Sequence, residues 1–200
     1  MSHTIVHLIR HGEVHNPGRI LYGTIPGYHL SSRGRSQAAR VARTFEDHDV
    51  TYLGASPLQR AQETAEPFAE TLLLDVDTVA PIVEAGNRFE GLRTKGWRSQ
   101  LWNPVRWPLM RNPLQPSWGE AYADIAARMM AAVEDTRRRA EGHEAILISH
   151  QLPIVMVQRH VMGLPLAHAS RQCELASVTS LVFDGADITD IFYTTPAKDI

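Results

Sequence analysis

Two hundred residues, 44 % apolar and 21 % charged, are enough for one substantial domain with a full core. A formal net charge of −2 gives no overall attraction to nucleic acid or to an anionic membrane surface. The lone cysteine, Cys173, has no partner for an internal disulfide and reads as packing; no charged segment with an apolar run precedes the first predicted strand, so a cytoplasmic location is expected.

The apolar run Thr4-Ile5-Val6-His7-Leu8-Ile9 predicts a buried strand that stops at Arg10-His11-Gly12-Glu13. Ser31 or Ser32 is the N-cap of an amphipathic helix with Ala38, Val41, Ala42 and Phe45 on its inner face. Val50 to Ala55 is a short second strand. Ser56 then reads as an N-cap with Pro57 at the first helical position, and Ala61, Ala65, Phe68, Ala69 and Leu72 form the buried stripe, which places Arg60 in the first turn. Another strand is expected around Leu74 to Val79.

Between about 85 and 116 no period of 3.6 or 2.0 runs through the chain. This stretch holds Trp97, Trp102 and Trp107, four prolines (Pro104, Pro108, Pro113, Pro116) and the arginines Arg88, Arg93, Arg98, Arg106 and Arg111, and reads as an irregular insertion capping the sheet edge. Ser117-Trp118-Gly119-Glu120 matches a capping box opening a long helix, with Ile125, Met129, Ala132 and Val133 inward and a stop near Gly142. Arg137-Arg138-Arg139 is its solvated end, where cations complement the helix dipole. Ala145 to Ser149 is a strand ending in His150, followed by a helix from Pro153 to Met162 closed by Gly163. Val178 to Phe183 and Ile188 to Tyr193 flank an Asp184-Gly185 turn, an antiparallel hairpin. The expected architecture is an α/β, three-layer α/β/α sandwich: a mainly parallel sheet with an antiparallel edge strand and helices on both faces, in a single domain spanning 1–200.

In an open α/β sheet the ligand crevice lies beyond the carboxyl ends of the strands. His11 and His150 each follow a strand, so they meet there, beside Arg10 and Arg60. Histidine with arginine suits phosphate. A metal reading is weighed because His3, His7, His11 and His15 recur every four residues. Four strand residues span roughly 13 Å, too far for neighbours to share an ion bound at about 2 Å. With no HExxH motif or cysteine cluster, no metal site is expected.

Arg10-His11-Gly12 after a strand, Ser56-Pro57-Leu58-Gln59-Arg60-Ala61 with Thr64-Ala65, and Ser149-His150 after a late strand resemble, in order and spacing, the histidine phosphatase superfamily, also called phosphoglycerate mutase-like proteins. The resemblance covers most of the chain and implies the phosphoglycerate mutase-like fold. Glu84, in Pro81-Ile82-Val83-Glu84, falls where the mutase-like branch places its proton donor. Gln151 after His150 stands where the acid phosphatase branch typically has an Asp, which favours the mutase-like branch. Asn16 and Gly23 are candidate phosphate contacts, the latter through its backbone amide; here the chain departs from the mutase pattern, because the Asn comes one residue early and follows His15 rather than a Trp.

The chemistry fits these residues on its own terms. A neutral imidazole, His11, attacks phosphorus; Arg10, Arg60 and His150 neutralise the transferring group's oxygens; Glu84 protonates the departing alkoxide and then activates water. Glu13 reads as an ion-pair partner. The expected activity is a metal-independent phosphatase acting on small phosphate monoesters through a phosphohistidine, with no cofactor. The alternatives are a phosphoglycerate mutase, which would use 2,3-bisphosphoglycerate, and a non-catalytic phospholigand-binding module. The expected partner is a phosphorylated small molecule, with no nucleic acid and no membrane. The Trp- and Arg-rich insertion reads as a lid that recognises the leaving group, or equally as a local aromatic core or a homodimer surface.

Overall fold

Side-chain alternation in the first strand, β1 (Thr4–Arg10), decides the layering: Val6 and Leu8 join one buried cluster, Ile9 the other. A computed structural model describes residues 3–94, 99–100, 103, 119–167 and 171–200. After β1 come α1 (Ser32–Arg43), β2 (Val50–Ala55), α2 (Gln59–Leu72), β3 (Asp77–Thr78) and a 3-10 turn at Ala80–Ile82. Then follow α3 (Tyr122–Arg139), β4 (Glu144–Ser149), α4 (Gln151–Val161), β5 (Val178–Asp184) and β6 (Asp187–Thr194).

The strands form one sheet in the order β3-β2-β4-β1-β5-β6. The pairs β3/β2, β2/β4 and β4/β1 are parallel, while β5 runs antiparallel to both β1 and β6, so the hairpin closes one edge. On one face Val41, Phe45, Ala61, Ala65 and Phe68 of the α1–α2 side pack on Ile9, Leu53, Ile146 and Ile148. On the other, Ile125, Met129 and Val133 of α3 and Ile154 and Val157 of α4 pack on Val6, Leu8 and Leu147. The three-layer expectation holds. No described helix is long and apolar enough to cross a membrane.

Several local expectations need correction. Ser31 caps α1, accepting from the Gly34 amide, but Ser56 does not cap α2; the N-cap is Leu58, without a side-chain bond, and Ser56 is used elsewhere. The expected strand from Leu74 to Val79 pairs only at Asp77–Thr78. The long helix opens at Tyr122 with Ala121 as N-cap, not at the Ser117 capping box. Glu120 instead takes Arg128 through two bonds of 2.7 and 2.9 Å; Ser117 and Trp118 lie outside the described residues. Arg137 is not solvated: it is buried against Glu134 and the Gly185 carbonyl. Trp97, Trp102 and Trp107, the four prolines, and Arg98, Arg106 and Arg111 of the expected cap also lie outside the described residues. The described end of that segment is tied to the loop after β1, by Leu21 and Leu92 (2.8 Å) and Gly91 and Leu21 (2.8 Å).

Two backbones meet where the loop after β1 crosses α1. A Cβ on Gly12 would lie 2.5 Å from the Gly34 carbonyl oxygen, and one on Gly34 would lie 2.0 Å from the Glu13 carbonyl oxygen. Glu13 itself is an ion-pair partner, held by Arg33 and Ser31. Gly34→Ala is expected to destabilise the protein by about 1–3 kcal/mol in urea titration through overpacking. Gly18→Ala, whose Cβ would meet only Ile20 at 3.6 Å, is expected to stay within about 0.5 kcal/mol of wild type.

Candidate active site

Register across the three central strands assembles the site. Arg10 pairs with Ser149 and Ala55 with Ile148, so the first residues past β1, β4 and β2 are His11, His150 and Ser56, side by side. The backbone continues the pattern for one more bond on each side: His11 N–H donates to Ser149 O (3.1 Å) and Ser56 N–H to Ile148 O (2.9 Å). All three side chains are buried, and the two imidazole centroids are 5.2 Å apart.

The hydrogen bonds of His11 define its tautomer. Nδ1 lies 2.8 Å from the Gly12 carbonyl, which only accepts, so Nδ1 carries the proton. Arg60 Nε donates to Nε2 at 3.2 Å, and a guanidinium only donates, so Nε2 holds the lone pair. Burial, then Arg60 and Arg10, holds the His11 pKa well below its ordinary 6.5, against the Gly12 carbonyl, which raises it. A neutral imidazole with an available lone pair is the result. Gly12 is held in turn by Thr64, whose Oγ1 accepts from its amide at 3.2 Å and donates to the Arg60 carbonyl at 2.6 Å.

His150 is set by Ser56. The Ser56 hydroxyl oxygen receives the Leu58 amide (3.5 Å) and stands 2.7 Å from His150 Nε2, within hydrogen-bond distance. Burial first, then the neighbouring His11 and the cations Arg60 and Arg10, keeps the His150 pKa well below 6.5. Its Nδ1 and the Nε of Arg10 are the two buried side-chain polar atoms without a hydrogen-bond partner among the described residues. The arginine nitrogen is a donor, as is the histidine nitrogen when it carries the ring proton.

The cations are held by carbonyls. Arg10 Nη1 donates to Cys173 O (2.6 Å), which also receives Gln151 Nε2 (3.1 Å). Arg60, 1 % exposed, donates to Gly23 O at 2.7 Å and lies 4.8 Å over the Tyr22 ring. Cys173 is buried, and burial pushes its thiol up to about 11, in keeping with packing rather than chemistry.

Glu84 follows the 3-10 turn, whose Ile82 carbonyl accepts from Ser149 Oγ (2.7 Å) while the Val83 carbonyl accepts from Arg128 (2.8 Å). Burial raises the Glu84 pKa above its usual 4.5, against the Ala85 amide, Arg60 and Arg10, which lower it. With Arg10, His11, Asn16 and Gly23 it lines a cleft of about 550 Å³, whose rim includes Arg19, Thr94 and Arg171.

All seven residues singled out in the sequence therefore gather at one place, five in the cleft wall and Arg60 and His150 against His11. Two of them do something unforeseen. Asn16 bonds both backbone groups of Ile20, through Nδ2 (2.9 Å) and Oδ1 (3.2 Å), leaving one amide hydrogen for a ligand. Gly23, at φ 38°, presents its carbonyl to Arg60. Ser56, Thr64 and Gln151 were legible only as motif letters. What they hold depends on long-range contacts with no local signal.

Known proteins share this chain's family and fold. The model of the histidine phosphatase superfamily (branch 1) matches residues 6–190. The chain is 50 % identical to the uncharacterized protein Rv0525 of Mycobacterium tuberculosis over 97 % of both chains. It is 30 % identical to the probable phosphoglycerate mutase GpmB of Proteus mirabilis over 85 % of this chain and 80 % of that one. Among solved structures, YhfR of Bacillus stearothermophilus superposes with a TM-score of 0.79 at 25 % identity, covering 92 % of this chain and 94 % of that one. With strand-end histidines and arginines in this order on this sheet, the chain belongs to the histidine phosphatase superfamily, branch 1, and has the phosphoglycerate mutase-like fold.

Proposed function

We propose that this protein is a phosphatase that hydrolyses small phosphate monoesters, independently of metal, through a phosphohistidine on Nε2 of His11. The observation that carries the reading is the pair of unpartnered buried nitrogens, Arg10 Nε and His150 Nδ1, beside a neutral imidazole whose Nε2 lone pair is held only by Arg60 Nε. Buried polar atoms without partners are costly, by about 1–3 kcal/mol each. A phosphate group, an acceptor at every oxygen, satisfies both once His150 carries its proton on Nδ1.

In the first step His11 Nε2 forms a bond to phosphorus as the ester P–O bond breaks, and Glu84 gives its proton to the departing alkoxide. The ring becomes cationic, and the Gly12 carbonyl on Nδ1–H stabilises that charge. Arg10, Arg60 and His150 take the charge on the equatorial oxygens, supplying from the chain what a metal supplies elsewhere. In the second step water attacks phosphorus, Glu84 takes its proton, and the P–N bond breaks to return neutral His11 and inorganic phosphate.

Hydrolysis rather than mutase chemistry is favoured because a mutase must shield its phosphohistidine from water. Arg19, Gly86 and Arg171, all in the cleft wall, are exposed, and Asn16 is occupied with Ile20. The test is an assay in chelator against a panel of phosphate esters, including 3-phosphoglycerate with and without 2,3-bisphosphoglycerate. Phosphate release supports the reading, isomerisation without release makes the protein a mutase, and silence on both makes it a binding module.

Four outcomes are expected. His11→Ala abolishes turnover while its urea midpoint stays near wild type, and substantial residual activity would remove His11 from the nucleophile role. Glu84→Gln impairs alkyl phosphates severely and aryl phosphates mildly, since aryl oxides leave without a full proton. The wild-type kcat/KM falls as pH rises through the raised Glu84 pKa, shows no inflection near 6.5 from His11, and loses its basic limb with aryl substrates in Glu84→Gln. Ser56→Ala frees the His150 tautomer and lowers kcat by up to about tenfold, the scale of one neutral hydrogen bond, without changing the fold by circular dichroism.

A further inference from the structure

Toward the amino ends of β1 and β4, away from the phosphate cleft, side chains from three segments converge. His7 comes from β1, Glu144 opens β4, and His48 lies in the turn after α1. Glu144 Oε2 stands 2.8 Å from His7 Nε2 and 2.7 Å from His48 Nδ1, and the three ligand atoms lie within 4.8 Å of one another. His7 is buried, Glu144 half-buried and His48 exposed. His7 sits four residues before His11, so the histidine ladder of the sequence does split as its strand spacing requires, but one of its members meets new partners from elsewhere.

We propose that His7 Nε2, His48 Nδ1 and a carboxylate oxygen of Glu144 bind a divalent transition metal of the zinc class, with water completing the shell. Two imidazoles and one carboxylate are borderline-soft ligands suited to that ion. The other nitrogen of His7 is already engaged, Nδ1 to Ser180 Oγ on β5 at 2.8 Å, the outer hydrogen bond that orients a ligand imidazole. An edge contact with the Phe45 ring, at 4.9 Å, fixes the same imidazole from its other side. Ligands at about 2.0–2.1 Å in a tetrahedron stand roughly 3.3 Å apart, so the two nitrogen–oxygen spacings open by about half an ångström while the two nitrogens, at most 4.8 Å apart, draw toward the same value, a shift that exposed His48 accommodates.

Without metal an ionised carboxylate accepts from both rings, so His7 carries its proton on Nε2 and His48 on Nδ1. Binding moves each proton to the ring's other nitrogen. His7 Nδ1–H then donates to Ser180 Oγ and His48 Nε2–H to solvent. The ion ties β1, β4 and the turn after α1 together, so it acts on stability and leaves the phosphoryl chemistry alone.

The experiment uses the full chain, stripped with chelator and desalted, with zinc chloride as the probe in calorimetric titration and thermal melts. One zinc per chain binds with micromolar affinity, and at free zinc a hundredfold above Kd the melting temperature rises by about 5–10 °C. His48→Ala, a change at an exposed position, loses both effects, as does Glu144→Gln, and cobalt absorption bands of a tetrahedral site vanish in both. Turnover of a phosphate ester is unchanged in His48→Ala. Absence of stoichiometric binding in the wild type overturns the proposal, and so does a melting shift that survives in His48→Ala, because zinc would then sit elsewhere, as on the active-site histidines.

Discussion

Positive charge buried without a matching carboxylate is the constraint around which the cleft is built. Arg60 is almost fully buried, yet it donates to a neutral ring nitrogen and a carbonyl; Arg10 donates to another carbonyl. Carbonyl dipoles position a guanidinium without cancelling its charge. An uncompensated buried cation costs several kcal/mol, and a dianionic phosphate offsets it. Burial, and then the same field, keeps His11 neutral, so one arrangement both attracts the substrate and keeps the nucleophile uncharged.

That field needs a rigid frame, and the frame is built from acidic side chains set outside it. Glu63 takes Leu30 N–H (2.8 Å), Arg35 (3.0 Å) and His29, fastening the loop after β1 to α2. Glu90 takes Thr24 N–H and Oγ1, each at 2.9 Å, and fixes the turn from which Gly23 reaches Arg60. A Cβ at Gly23 would stand 2.1 Å from the Glu90 carboxylate, so this close approach requires glycine. Glu120 and Arg128 hold the segment before Glu84. Carboxylates thus order the backbone around the cleft while Glu84 alone among those discussed lies in its chemistry. At the other end of the sheet, contact with His7 first, and with His48, holds the Glu144 carboxyl down to about 2 and keeps it ionised.

What was legible in the sequence was local. The apolar runs of β1 and β4, the Ser31 cap and the Asp184-Gly185 hairpin are settled by neighbours in sequence, and each formed as its pattern implies. Ser56 was misread because serine before proline serves equally as a helix cap and as a strand-end hydroxyl; only the register of β2 on β4 puts it within reach of His150. Glu120 of the expected capping box is taken by an ion pair with Arg128, eight residues on. The carbonyls of Gly12, Gly23 and Cys173 had no signal at all, since every residue carries one and only the fold selects which are used. The meeting of His7, His48 and Glu144 was equally hidden, being a contact between residues 41 and 137 positions apart from His7 in sequence.

The account turns on a covalent bond between phosphorus and Nε2 of His11. The most direct measurement is alkaline quench of a single turnover with a phosphate ester carrying labelled phosphorus, followed by peptide mapping. The account predicts label on the peptide containing His11, stable to base, lost in acid, and formed and consumed as fast as product appears. Product formation at full rate with no label on His11 at any time would contradict it.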